Sequence, residues 1–150
     1  MGWLLAGCSD PGTGPIDMHW DRDTCERCRM ILSDQKHAAQ VRYTDEKQKS
    51  RVRLFDDIGC ALIWLEDKPW RELTTTEIWT TDHRDGKWID AKSAHYIKGQ
   101  VTPMEYGIGA QTVAPIESSL TYDEAKAQIF KVEETYNLHG AHTDEVRERR

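Results

Sequence analysis

Apolar side chains recur along this chain with two different periods, and the places where the period changes mark out its elements. Residues 36–43 carry Val41 and Tyr43 at strand alternation, and Arg51, Val52, Arg53, Leu54 and Phe55 alternate again. Residues 44–50 between them form a charged turn. Ile58, Ala61, Leu62 and Leu65 then fall at i, i+3, i+4 and i+7, the stripe of an amphipathic helix over residues 57–67. Asp56 and Asp57 offer that helix an N-cap and acidic charge at its positive end, and Pro69 stops it. Residues 76–81 and 87–90 flank Asp85-Gly86, a pair that favours a tight hairpin, and residues 94–97 add a short strand. Residues 101–109, punctuated by Pro103, Gly107 and Gly109, read as a loop. Thr121 and Glu124 form a capping box that opens a second helix, with Tyr122, Ala125, Ile129, Val132 and Tyr136 turned inward and Gly140 closing it. Each half therefore runs strand, strand, helix, which predicts an α+β domain built on a duplicated unit.

Composition narrows the function classes. A chain of 150 residues supports one domain with a real core and is too short for two. Its net charge of -6 disfavours general nucleic-acid binding, which needs a basic face. No apolar run approaches the ~20 residues that a membrane-spanning helix requires. Leu5-Ala6-Gly7-Cys8 has the form read by lipoprotein signal peptidase before the cysteine is acylated, although Met1-Gly2-Trp3-Leu4 supplies no basic region and only a short apolar stretch. Residues 9–15 are rich in Pro, Gly and Ser and read as a flexible tether between a lipid on Cys8 and the domain. The expected organisation is a leader and tether over residues 1–15, one domain over 16–140, and a charged, disordered tail over 141–150. His139 and His142 flank the start of that tail and belong to a solvated segment.

The candidate chemistry lies in Asp23-Thr24-Cys25-Glu26-Arg27-Cys28-Arg29-Met30, a C-x-x-C-x-M run. A thiolate beside a thioether selects Cu(I) over hard cations, whereas zinc rarely takes sulfur from Met. In an extended segment Cys28 and Met30 leave on one face, so that one ion touches both. The opposing reading makes Met30 the start of a buried strand and the two thiols a disulfide or redox pair. Cys60 lies beside the apolar stripe of the first helix and reads as a buried structural thiol. Met104, isolated in its loop, reads on its own as a core gap-filler.

Five strings in order resemble the NosL family of copper lipoproteins, accessory proteins of nitrous oxide reductase assembly. They are Leu5-Ala6-Gly7-Cys8, Cys28-Arg29-Met30, Phe55-Asp56-Asp57-Ile58-Gly59-Cys60, Trp88-Ile89-Asp90-Ala91-Lys92-Ser93-Ala94 with Tyr96, and Thr102-Pro103-Met104-Glu105-Tyr106-Gly107. The resemblance implies two interlocked strand-strand-helix-strand units, similar to a domain of organomercurial lyase. It also implies a periplasmic, lipid-anchored carrier that binds Cu(I) and passes it towards the reductase, with no enzymatic activity of its own. Carried over, the metal ligands are Cys28, Met30 and Met104, with Cys25 as a spare ligand or disulfide partner, His95 or His37 as an additional ligand, and Cys8 as the lipidated residue. Arg29 and Glu105 depart from the family, which often has Gly at these positions, and imply less pliable loops. Three other readings stand beside this one. The first is a thiol-disulfide redox protein using Cys25 and Cys28, and the second a zinc-stabilised interaction module using Cys25, Cys28 and Cys60 with a His. An organomercurial-lyase-like enzyme comes last, because fold does not carry chemistry.

Overall fold

A computed structural model describes residues 10–136. Its fold is α+β, with two antiparallel sheets and two helices. Strands β1 (Ala39–Thr44) and β2 (Ser50–Phe55) lead into helix α1 (Ile58–Glu66), followed by β3 (Glu77–Thr81), β4 (Trp88–Asp90), β5 (His95–Lys98), β6 (Ile108–Gln111) and helix α2 (Tyr122–Tyr136). The larger sheet has the order β2-β1-β3-β4, and β5 and β6 form the smaller one. Both halves show the strand-strand-helix succession, β1-β2-α1 and β5-β6-α2. The larger sheet joins the second unit where Asp82, just past β3, bridges Ala110 in β6, and within that unit Leu120 bridges Tyr96 in β5.

Central strand β1 is buried on both faces, and its alternation sorts two kinds of side chain. Ala39, Val41 and Tyr43 belong to the apolar core with Phe55, Ile58, Ala61, Leu62 and Leu65 of the β2-α1 segment, so the predicted helical stripe is the buried one. Tyr43 stacks on Trp70 at 4.4 Å, and Trp64 is tilted against both Tyr43 and Phe55. On the other face, Gln40 and Arg42 are buried polar residues that need partners. The N-terminal segment supplies them. Gln40 exchanges two hydrogen bonds with the Ile16 backbone, and Arg42 donates to the Gly14 carbonyl and to both Asp10 carboxylate oxygens. The Arg42 guanidinium holds the Asp10 carboxyl below its usual range. From Asp10 onward, the stretch expected to be a flexible tether is thus a strap fastened across the sheet. Cys8 and the expected tail lie outside the described residues, as does Gly140.

The structure corrects several other expectations. The turn between β3 and β4 is wider than a two-residue hairpin, because Asp82 N–H donates to the Lys87 carbonyl and Gly86 N–H to the Asp82 carbonyl. Asp85-Gly86 closes this turn, with Gly86 at φ 75°. The loop expected over residues 101–109 ends at Gly107, and Ile108 to Gln111 form β6. Gly109 suits a strand here because Gln100 approaches so closely that a Cβ would lie 2.8 Å from its Cγ. Helix α2 opens on the predicted box, with Thr121 N–H donating to Glu124 and Glu124 N–H to Thr121 Oγ1. Ala125 and Ile129 face the core, but Tyr136 at the helix end is 68% exposed.

Candidate metal centre

The site is built at the corner where β2 hands over to α1. Phe55 ends the strand in the core, Asp57 caps the helix by accepting from Gly59 N–H at 2.9 Å, and Asp56 and Cys60 flank that cap. Cys60 sits in the first turn of that helix.

The cysteine turn hangs on the same strand end. Glu26 N–H donates to the Leu54 carbonyl, and a bridge between Thr24 and Ile31 closes the turn. Inside it, Cys25 N–H donates to the Met30 carbonyl and Arg29 N–H to the Cys25 carbonyl. Arg29 lies at φ 66°, the left-handed region, so Cys28 to Met30 is not the extended segment expected. The same-face argument for Cys28 and Met30 therefore fails. Met30 is 49% exposed, as a residue turned out of a tight loop should be. The arginine costs conformational energy where glycine costs little, and its pairing with Glu26 at 3.9 Å is too exposed to compensate. Arg29→Gly should raise stability by about 0.5–1 kcal/mol, read as a shift in the denaturant midpoint.

The turn brings Cys25 and Cys28 onto the α1 corner. One ligand atom from each of Cys25, Cys28, Asp56 and Cys60 lies within 4.8 Å of all the others. Cys25 and Cys60 have no solvent exposure and Cys28 is half-buried. The Cys28 thiol donates to Asp56 Oδ2 at 3.2 Å, while buried Asp56 Oδ1 has no hydrogen-bond partner. A buried carboxylate oxygen without a partner is costly in an apolar setting and suits a cation. All three described cysteines are free thiols.

Hydrogen bonding makes Cys25 the most readily ionised thiol of the metal-free cluster. Its sulfur accepts from the Cys60 thiol and from Cys28 N–H, the latter at 3.5 Å, which lowers its pKa to about 7. Burial is the first cause that pushes the Cys28 thiol up to about 12, with Asp56 and Cys25 adding to it. Cys60 is driven well above the ordinary thiol range by donating to Cys25 and by burial. Burial also raises the Asp57 carboxyl to about 6.

The Met104 loop is fastened to the same helix cap. Met104 donates its backbone N–H to Asp57 Oδ2 at 3.4 Å, and its half-buried side chain packs against the core. Adjacent carboxylates thus hold the two sulfur-bearing loops, Asp56 the cysteine turn and Asp57 the Met104 loop. The histidines named from the sequence do not join the cluster. His95 lies in β5 opposite Gln111, and His37 Nδ1 is 2.8 Å from Asp34 Oδ2. Sequence reasoning did not give Asp56 a role as a metal ligand, and gave Cys60 one only in the zinc alternative, reading it otherwise as a structural thiol. The signal available was a second acid beside an acid that already suffices as the cap.

Known proteins resemble this chain over most of its length. The family model described as NosL matches residues 15–137. The crystal structure of the copper chaperone NosL from Shewanella denitrificans resembles the chain with a TM-score of 0.51 at 20% sequence identity, covering 81% of this chain and 89% of that one. At that identity the likeness concerns the fold. No curated protein matches.

Proposed function

Because the chain belongs to the NosL family, matched over most of its length, we propose that it is a copper chaperone whose cargo is Cu(I), held by the Cys25, Cys28 and Cys60 thiolates. The observation that carries this reading is the convergence of three sulfurs and a partnerless carboxylate oxygen at one buried corner. Soft sulfur donors select Cu(I), and a structure of similar fold is that of a copper chaperone. Met30, exposed beside Cys28, and Met104, held at the same corner, serve as thioether ligands through which copper is taken up and released. Cys28 is the only one of the three thiols with solvent access, so ligand exchange begins there. A ligand of the acceptor protein adds to copper at Cys28 before the inner thiols let go.

The acceptor in this proposal is nitrous oxide reductase or its assembly machinery. The protein works in the periplasm, anchored through a lipid on Cys8, without catalytic activity. Cys28→Ser should abolish stoichiometric Cu(I) binding, measured against a competing chelator. Unchanged affinity would overturn the assignment.

Loading must displace the protons of Cys28 and Cys60, whose thiols are protonated at neutral pH. Apparent Cu(I) affinity should therefore rise with pH, by up to about tenfold per pH unit for each proton released. Calorimetry in buffers of different ionisation enthalpy counts these protons. An affinity that stayed flat between pH 6 and 8 would contradict thiol ligation.

Asp56 favours a second reading, since three thiolates and a carboxylate make a tetrahedral zinc set. Metal analysis after anaerobic purification, followed by competition between the two ions on the reduced protein, separates the readings. The copper account expects Cu(I) to displace zinc. Thiol-disulfide exchange is not favoured, because Cys25, the thiol with the lowered pKa, is fully buried and sits in a turn instead of opening a helix.

A further inference from the structure

We propose that Arg27, Tyr106 and Glu133 are positioning residues of the thiol site, forming a latch that sets how fast its buried sulfurs exchange with the outside. The inference deepens the reading of the cysteine cluster as a Cu(I) carrier and rests on it.

The three residues come from three different segments. Arg27 lies inside the cysteine turn, Tyr106 two residues beyond Met104, and Glu133 on α2. Arg27 donates to the Tyr106 hydroxyl at 3.1 Å and to Glu133 Oε1 at 2.5 Å, and that hydroxyl donates to Glu133 Oε2 at 2.7 Å. The Arg27 and Glu133 side chains are only 14% and 15% exposed, so this pair is little screened by water. The Tyr106 ring presses on Gly59, the residue before Cys60. The network thus ties both sulfur-bearing loops to α2, with the Tyr106 ring against the start of α1.

Two further facts point to a latch. Cys25 and Cys60 have no solvent exposure, so a metal held on them leaves only if a wall of the site moves. Each loop also carries a non-glycine residue in the left-handed region beside its sulfur ligand, Arg29 at φ 66° next to Cys28 and Glu105 at φ 59° next to Met104. Such conformations persist only where the surroundings impose them, and the latch is one such restraint on both loops. Releasing it lets the turn and the loop relax away from the corner.

The test compares the wild-type protein with Glu133→Gln, Tyr106→Phe and Arg27→Lys, using two readouts. One is the rate at which a chelator in excess removes Cu(I) from the loaded protein, followed by stopped flow. The other is the alkylation rate of Cys25 and Cys60 in the metal-free protein, followed by peptide mass spectrometry. Asp82→Asn, which weakens the side-chain bonds from the end of β3 to Arg84 and to Thr112 just past β6, residues outside the thiol cluster, serves as the control for general destabilisation. The latch predicts that Glu133→Gln and Tyr106→Phe raise both rates about tenfold or more, the scale of one hydrogen bond to a charged group. Arg27→Lys keeps the charge but loses the fork, and should raise them as well. Rates within twofold of wild type in all three variants, or equal acceleration by Asp82→Asn, would overturn it. If the wild-type protein took up no Cu(I), the carrier reading would fail while the alkylation readout still decided the latch.

Discussion

Replacing Cys60 with serine or alanine will lower Cu(I) affinity by about a hundredfold or more, since even the partners of metal ligands are worth ten- to a hundredfold. A buried structural thiol would behave otherwise. The alanine form removes only a small side chain from the core and should cost little stability, about 1–2 kcal/mol. The two roles therefore separate in one pair of measurements, competition titration against a Cu(I) chelator and thermal denaturation. The metal-ligand role predicts a large loss of binding with a small shift in melting temperature. The structural role predicts the same small shift in melting temperature with Cu(I) affinity within about twofold of the wild type. Cys60 is the informative position because its contact with Cys25 joins two distant parts of the chain, and the serine form also removes the thiol that donates to the Cys25 sulfur.

Gly59→Ala should give the largest loss of stability. A Cβ there would stand 2.2 Å from Tyr106 Cδ2 and 2.5 Å from Cγ, inside the ring's contact distance. Neither end is free to yield. Gly59 is held by its hydrogen bond to the Asp57 cap, and the Tyr106 hydroxyl by Arg27 and Glu133. Overpacking of this kind costs about 3 kcal/mol. Tyr106→Ala removes the obstructing ring, so in the Gly59→Ala background it should cost less than it does alone. Denaturant unfolding of the two single variants and the double variant checks this. Additive losses would contradict the contact.

The local elements were largely legible in the sequence. The stripe Ile58, Ala61, Leu62 and Leu65 fixed both the first helix and its buried face, and the Thr121 and Glu124 box fixed the start of the second. Periodicity shows which face of a helix turns inward but not what meets it there. That is why Cys60 read first as structural and joined Cys25 and Cys28 only in the zinc alternative, while the fold sets it against both. The extended reading of Cys28 to Met30 failed for a different reason. Nothing in the letters of an arginine announces a left-handed backbone, and only the family's preference for glycine at that place hinted at it. The Pro and Gly content of the N-terminal strap suggested freedom. Buried Gln40 and Arg42, which need partners on that face, hold it down instead. Strand β6 was hidden by Gly109, whose missing side chain makes room for Gln100.

X-ray absorption at the copper edge, on reduced protein loaded with one equivalent of Cu(I), tests most directly whether the cysteine corner is the binding site. The account predicts a shell of sulfur neighbours, and it predicts that the shell loses one of them in Cys60→Ser. A shell dominated by nitrogen or oxygen, or one that Cys60→Ser leaves unchanged, would contradict it.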